Sequence, residues 1–385
     1  MSITAAKGFV AAGLASGIKE SGAPDLALVA TEDHAAVPAA AVFTSNLAQA
    51  APVQVSRDHL VDGRAAAVVL SSGNANAATG EAGRHDARRM CELVAECIDA
   101  APADVLVCST GLIGIPLPMT ALEAGIPKVC GALRVEGGSD AAQAMLTTDT
   151  VRKEASASAG NAIVGGMAKG AAMLSPAMAT MLAVLTTDAS VDAAALEPAL
   201  ARAVRETFDC LSVDGCRSTN DTVIVLANGR AGAVSATALT DALTTVCGSL
   251  AEQMARDAEG ATKFVRVQVA GARTADDARI AARAVANSQL VQCSLNGGDA
   301  YWGRVLSELG ASGALIDPEN VTISYNGVTV CRRGVACEHD ATALAAAMAA
   351  RDIDVRCELH LGSGAAQVLT TDLSHAYIDE NRRTS

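Results

Sequence analysis

Apolar residues recur along this chain with two distinct periods. From Arg84 to Asp99, the residues Met90, Leu93, Val94, Cys97 and Ile98 fall on one face at helical spacing, while Arg88, Arg89, Glu92 and Glu96 turn largely toward water. A stronger stripe, Leu239, Leu243, Val246, Leu250 and Met254, predicts a helix that runs to Glu259, with Gly260 as its stop. Directly afterwards the period changes to two: in KFVRVQVAG, Val265, Val267 and Val269 alternate with Arg266 and Gln268, as in a half-buried strand. AAAVVLSSG, DVLVCSTG, TMLAVLTTD, TVIVLANG and VTISYNGVTVC read as further strands bounded by Gly, Asn or Asp, several of them too continuously apolar to have a wet face.

Interspersed helices and buried strands predict a layered α/β sandwich. No fixed repeat and no Pro- or Ser-rich linker marks a cut; the clearest break follows the helix that runs to Glu259, so a boundary near Gly271 is expected, giving a main body over 1–271 and a smaller C-terminal α/β lobe over 272–385. Composition narrows the partners. Hydrophobic residues are 50% and charged residues 18%, as in a globular chain with much buried surface, whereas aromatics are 2% and the net charge is −13. A sparse supply of stacking rings and an excess of negative charge both oppose nucleic acid. Neither a membrane span nor a signal peptide is legible, so a cytoplasmic protein with no membrane partner is expected. Eleven cysteines without a CxxC pair suggest reduced core residues rather than a disulfide framework or zinc ribbon.

The familiar chemical motifs are missing. GGMAKGAAML has glycines and a lysine in the wrong order for a phosphate cradle, and GASGA and LGSGA lack the spacing of a nucleophile elbow. Six scattered histidines contain no HExxH, so no metal site and no obvious Ser-His relay is expected. What remains is PAMATMLAVLTTDA. On pattern alone its Thr180 is a β-branched strand former. One chemical alternative exists: if the Ala179 to Thr180 bond were cut, Thr180 would carry a free α-amine, with a pKa near 8, able to take the proton of its own hydroxyl. The same hydroxyl could make the cut by attacking the Ala179 carbonyl. CSTGLIG offers oxyanion donors at Thr110 and Gly111, although on pattern alone a plain strand terminator is the more natural reading of that turn.

GGMAKGAAMLSPAMATMLAVLTTDA resembles the self-processing segment of the ArgJ family, the ornithine acetyltransferases or glutamate N-acetyltransferases. KGFVAAGLASGIKESGAPDLALV, AVFTSN, SSGNANAATG, CSTGLIG, TTDT, STNDT, DAEGATK and TTDLSHAYIDEN occur in the expected order, so the resemblance spans nearly the whole chain. It implies an ArgJ/DmpA-like self-processing fold, cleavage between Ala179 and Thr180 into an α chain (1–179) and a β chain (from 180), and an α2β2 heterotetramer of those fragments. Thr180 would be the nucleophile and acetyl carrier, with Thr110 and Gly111 as the oxyanion hole. Thr147, Lys169 and Glu259 match substrate-binding positions, and Asn381 and Ser385 match more loosely. The implied reaction passes acetyl from N-acetylornithine to glutamate through acetyl-Thr180 in arginine biosynthesis. It needs no cofactor, with acetyl-CoA as a conceivable second donor. Two departures stand out: the tail NRRTS lacks the aromatic usual between the asparagine and the last hydroxyl, and DAYWGR replaces DPNWGR. The alternatives are a self-processing amidohydrolase or aminopeptidase that uses water as acceptor, and an uncleaved binding protein.

Overall fold

The computed structural model describes residues 2–174 and 181–382. Two compact units divide the chain. Among the described residues the first comprises 2–174, 181–209 and 216–254, and the second comprises 210–215 and 255–382. The second unit thus begins before the strand containing Val265, Val267 and Val269, because that strand pairs only within the second unit's sheet.

In the first unit the strands are β1 (Phe9–Leu14), β2 (Leu26–Thr31), β3 (Val37–Phe43), β4 (Arg64–Ala65), β5 (Ala67–Asn74), β6 (Val105–Leu112), β7 (Lys153–Ala159), β8 (Ala162–Lys169), β9 (Leu182–Ser190) and β10 (Thr222–Ala233). They form two sheets, ordered β1-β2-β5-β6 and β4-β3-β10-β9-β8-β7. The inner faces meet in one aliphatic core: Val29, Val68, Leu70 and Leu106 from the first sheet pack with Met167, Leu182, Val184, Ile224 and Leu226 from the second. Alternate residues of the four-stranded sheet, including Leu28, Val69, Val105 and Val107, bury their outer face against Met90, Leu93, Val94 and Ile98 of the helix Gly80–Ile98 and against Leu122 and Ile126 of the helix Met119–Gly131. Both faces are therefore dry, which is why these strands read as continuous apolar runs. Each fully buried Val or Leu contributes roughly 1.5–3 kcal/mol, so the aliphatic layers dominate the favourable side. On the second sheet Gly166 leaves room for a helix: a Cβ there would come within 2.8 Å of Val246 and 2.6 Å of Leu185. The unit is a helix-sheet-sheet-helix sandwich, as expected.

The second unit is built on β11 (Phe264–Ala272), β12 (Thr322–Tyr325), β13 (Val328–Arg332), β14 (Val335–Ala336), β15 (Asp352–Glu358) and β16 (Gly364–Thr371), ordered β14-β13-β12-β15-β11-β16. Val265, Val267 and Val269 pack with Ala281, Ala282 and Val285 of the helix Ala275–Asn287. Three expectations need correction. VTISYNGVTVC is a hairpin rather than one strand, because Asn326 (φ 45°) and Gly327 (φ 83°) adopt the left-handed turn that Asn-Gly favours. The long helix ends at Arg256, so Glu259 lies in the following turn and not at a helix end. Cys97, placed on the apolar stripe by its spacing, is exposed.

Candidate functional site

The parallel pair β5 and β6 ends in an irregular register at Gly73 and Asn74, opposite Gly111 and Leu112. Two glycines are required there. Gly111 has φ +132°, and a Cβ on it would sit 2.3 Å from the Gly73 carbonyl carbon. Thr110 is buried and Gly111 exposed, so the strand presents a hydroxyl-bearing residue and then bare backbone at its end. Ser218, Thr219 and Asn220 line the same small cleft as Thr110 and Gly111. Asn220 fixes that arrangement: its buried side-chain amide donates to Ala75 O at 2.6 Å and to Ser109 O at 2.9 Å, tying the loop before β10 to the ends of β5 and β6. Asn220 N–H in turn donates to Ser218 Oγ at 3.0 Å.

The next residue, Asp221, is wholly buried. Its Oδ1 accepts the Met181 N–H at 3.0 Å, and Thr222 N–H donates to Met181 O at 3.2 Å, so the start of β9 is clamped beside β10. Burial pushes the Asp221 carboxyl well above the ordinary carboxylate range. The Met181 N–H, the Ser218 hydroxyl and the Lys169 charge oppose this, and Asp209 adds to it. Ala179, Thr180 and Ser385, central to the sequence reading, lie outside the described residues.

Lys169, at the end of β8, is no solvated cation. It is 3% exposed, and its Nζ lies 3.7 Å from Asp149 Oδ2. Asp149 is the acidic residue of TTDT and the hub of this region. Its Oδ1 accepts from Lys153 Nζ at 2.7 Å and from Gly170 N–H at 2.7 Å, while its Oδ2 accepts the Thr147 N–H at 3.2 Å. Thr147 is thus held through its backbone. Burial works against ionisation of Asp149, yet Lys169, Lys153 and the Gly170 N–H outweigh it and hold the carboxyl far below its usual range. Lys19 completes the group. Its Nζ donates to Pro24 O at 2.8 Å and Leu146 O at 2.6 Å, and its pKa is lowered by burial and by Lys169, against the pull of Asp25 and Asp149.

Glu259 and Asn381 belong to the second unit, where Asn381 Nδ2 donates to Glu259 Oε2 at 2.7 Å. The turn that carries Glu259 is set by Asp372, whose Oδ1 accepts the backbone N–H groups of Thr262 and Lys263 at 2.8 and 2.7 Å. It is fixed further by Ser374, whose Oγ donates to Gly260 O at 2.6 Å. Gly260 is obligatory, since a Cβ there would meet Tyr377 N at 2.2 Å. Within the first unit the structure therefore gathers Thr110 with Gly111 and Thr147 with Lys169, and within the second it pairs Glu259 with Asn381. Lys19, Asp149, Lys153, Asn220 and Asp221 were not singled out from sequence. The available signal was polar residues bunched in the short connections between elements, in GIKESG, TTDT and STNDT.

The ArgJ family model matches residues 10–384. This chain belongs to the ArgJ family. It is 48% identical to an arginine biosynthesis bifunctional protein ArgJ of Mycobacterium leprae, over 98% of this chain and 94% of that one. A Streptomyces coelicolor protein of the same name is 45% identical over 99% of both. Among solved structures, an arginine biosynthesis bifunctional protein ArgJ from Bacillus halodurans superposes with a TM-score of 0.50 at 32% identity, covering 51% of this chain and 96% of that one. ArgJ membership makes the chain an acyltransferase of arginine biosynthesis, and the layered α/β fold accords with it.

Proposed function

We propose that the chain transfers acetyl from N-acetylornithine to glutamate through an ester on Thr180, after scission of the Ala179 to Thr180 bond. The observation that carries this reading is the joining of three elements: the Thr110-Gly111 strand end, the Ser218 to Asp221 loop packed on it, and the start of β9 clamped by Asp221 directly after Thr180. In each half-reaction an oxygen develops negative charge. The Thr110 hydroxyl and the Gly111 N–H are the donors suited to receive it, and one such donor is typically worth about 3 kcal/mol. Both amino acids carry an α-carboxylate, and the buried Lys169 is the cation assigned to it. Glu259, held by Asn381, is assigned to ornithine's distal ammonium. Acetyl-CoA as an additional donor for glutamate and assembly of the two fragments into an α2β2 tetramer belong to the same reading.

Intact mass and a denaturing gel test scission, since fragments split before Thr180 support it and a single persistent species refutes it. Incubation with N-acetylornithine should add one acetyl group to the fragment beginning at Thr180, and glutamate should remove it as N-acetylglutamate. Acetate released at the same rate without glutamate would instead identify an amidohydrolase. Lys169→Met should raise KM for N-acetylornithine, and Glu259→Gln should slow its turnover; unchanged constants overturn the respective assignment.

A further inference from the structure

The half-buried Lys19 has no task in acetyl transfer as described, yet the first unit is built to hold it. The wholly buried Asp25 accepts the N–H groups of Ser16, Gly17, Ile18 and Lys19 at 2.6, 3.2, 2.7 and 3.0 Å, which locks the loop between β1 and β2. From that loop the Lys19 stem passes beside Gly73, where a Cβ would come within 3.1 Å of Lys19 Cγ; Gly73 is in turn the strand partner of Gly111. The ammonium then donates to Leu146 O at 2.6 Å. That carbonyl belongs to the same peptide group as the Thr147 N–H, which donates to Asp149 Oδ2 at 3.2 Å. One peptide plane is therefore pinned at both ends, by Lys19 on its oxygen and by Asp149 on its nitrogen. Asp149 is also the counter-charge of Lys169, at 3.7 Å.

A neutral donor suffices to hold a carbonyl of this segment, as Ser72 shows by donating to Ala144 O at 2.6 Å. At position 19 the chain keeps a charge instead, against the cost of burial and the repulsion of Lys169. Lys19, Lys153 and Lys169 face Asp25 and Asp149, and Asp221, which also faces Lys169, is held toward its neutral form by burial. The group is thus one carboxylate short. We propose that Lys19 is a positioning residue for capture of the substrate carboxylate: it sets the Leu146-Thr147 peptide and, through Asp149, the aim of Lys169. This rests on the reading of Lys169 as the cation for that carboxylate. The Thr110-Gly111 strand end is tied separately by Asn220, so loss of Lys19 falls on binding rather than on the chemical step.

Lys19→Met tests the assignment, because it keeps the stem beside Gly73 and removes only the ammonium. Ser72 still holds Ala144 and Asp25 still holds the loop. The expected result is a KM raised at least about tenfold for both N-acetylornithine and glutamate, with kcat within about threefold of the parent. Because Lys19 acts through Lys169, adding Lys19→Met to Lys169→Met should raise KM by less than about twofold more. A purely structural Lys19 would lower the denaturation midpoint and leave KM alone, and an independent contact would multiply with Lys169→Met. Unchanged KM in the single variant, or full multiplication in the double, overturns the proposal. A parent protein that transfers no acetyl, or a Lys169→Met variant with unchanged KM, sinks the underlying reading instead and is seen without any change at Lys19. If Lys19→Met does not fold, nitrogen-15 lysine labelling of the parent decides. Glutamate added alone should raise the Lys19 pKa, since a carboxylate held by Lys169 favours the neighbouring ammonium, and an unmoved Lys19 titration overturns the assignment.

Discussion

Replacing Asp149 by Asn removes one negative charge and almost no volume. In the native protein that charge faces Lys153 Nζ at 2.7 Å and Lys169 Nζ at 3.7 Å, and Lys153 and the Asp149 side chain are 0% exposed. At an effective dielectric of about 20 the two attractions are worth about 6 and about 4.5 kcal/mol. Desolvation of three buried ions consumes much of this, so the sum is no measure of net stability. Removing one partner nevertheless leaves the others buried and uncompensated, and that typically costs about 3–5 kcal/mol. Urea unfolding followed by far-ultraviolet circular dichroism should show a loss of that size for Asp149→Asn. Adding Lys153→Met, which fills the same space without a charge, should return at least about half of it, whereas Lys153→Met alone should be destabilising. The cycle is diagnostic because only coupled charges make the second substitution stabilising.

The pH dependence gives a second readout with a fixed sign. Asp149 has a folded pKa depressed below its unfolded value, so its contribution is fully present above the unfolded value near 4 and fades as pH falls through the folded one. The stability gap between parent and Asp149→Asn should therefore stay flat from about pH 8 to about pH 5 and close only in more acidic solution. A gap under about 1 kcal/mol at pH 7, or one that closes as pH rises, would refute this account of the hub.

Thr110→Val keeps the buried shape and removes the hydroxyl, so it should fold normally and lower kcat for acetyl transfer by about a hundredfold or more; full activity in a steady-state assay removes Thr110 from the oxyanion hole. Asn220→Ala strands the carbonyls of Ala75 and Ser109 and should cost roughly 2–4 kcal/mol by denaturant midpoint, with a loss under about 0.5 kcal/mol counting against its role as a tie. Burial raises the Cys108 and Cys247 thiols to about 12, so at pH 7.5 a disulfide reagent should modify the exposed Cys97, Cys216 and Cys293 quickly and reach those two only after unfolding. Rapid labelling of Cys108 in the folded protein would contradict the packing of the central core.

The layers were legible because both sheet faces in the first unit are dry. Uniform apolar runs such as AAAVVL and VIVL leave no doubt about burial, and the stripe from Leu239 to Met254 is buried throughout. Local turn chemistry was less well read. The hairpin at Asn326-Gly327 was absorbed into a single strand, and the helix expected to reach Glu259 stops at Arg256, where the chain turns toward β11. Charged groups were the hardest to place. Nothing in the spacing of Lys153, Asp149 and Lys169 tells that all three side chains are buried, since lysine is ordinarily exposed and burial here depends on mutual pairing. Lys19 lies far along the chain from Leu146, and Asp221 from Met181, so only the folded sheets bring these pairs together.

The charge pattern makes a further prediction about glutamate capture. The net charge of −13 repels an anion at long range, and that repulsion is carried by exposed groups that salt screens within about 10 Å at 0.1 M. Attraction, on the reading above, comes from a group in which Lys153 and Lys169 are buried and Lys19 half-buried: the three face Asp25 and Asp149, and with burial favouring the neutral form of Asp221, three ammonium groups against two carboxylates leave one positive charge. Screening barely reaches buried charges. Added salt should therefore weaken the repulsion more than the attraction, so kcat/KM for glutamate should hold steady or rise modestly between about 0.02 and 0.3 M potassium chloride. Lys169→Met should lower the whole curve without changing its slope. A steep fall in kcat/KM with salt would mean that exposed cations guide glutamate, and the buried lysines would then have to be explained by stability alone.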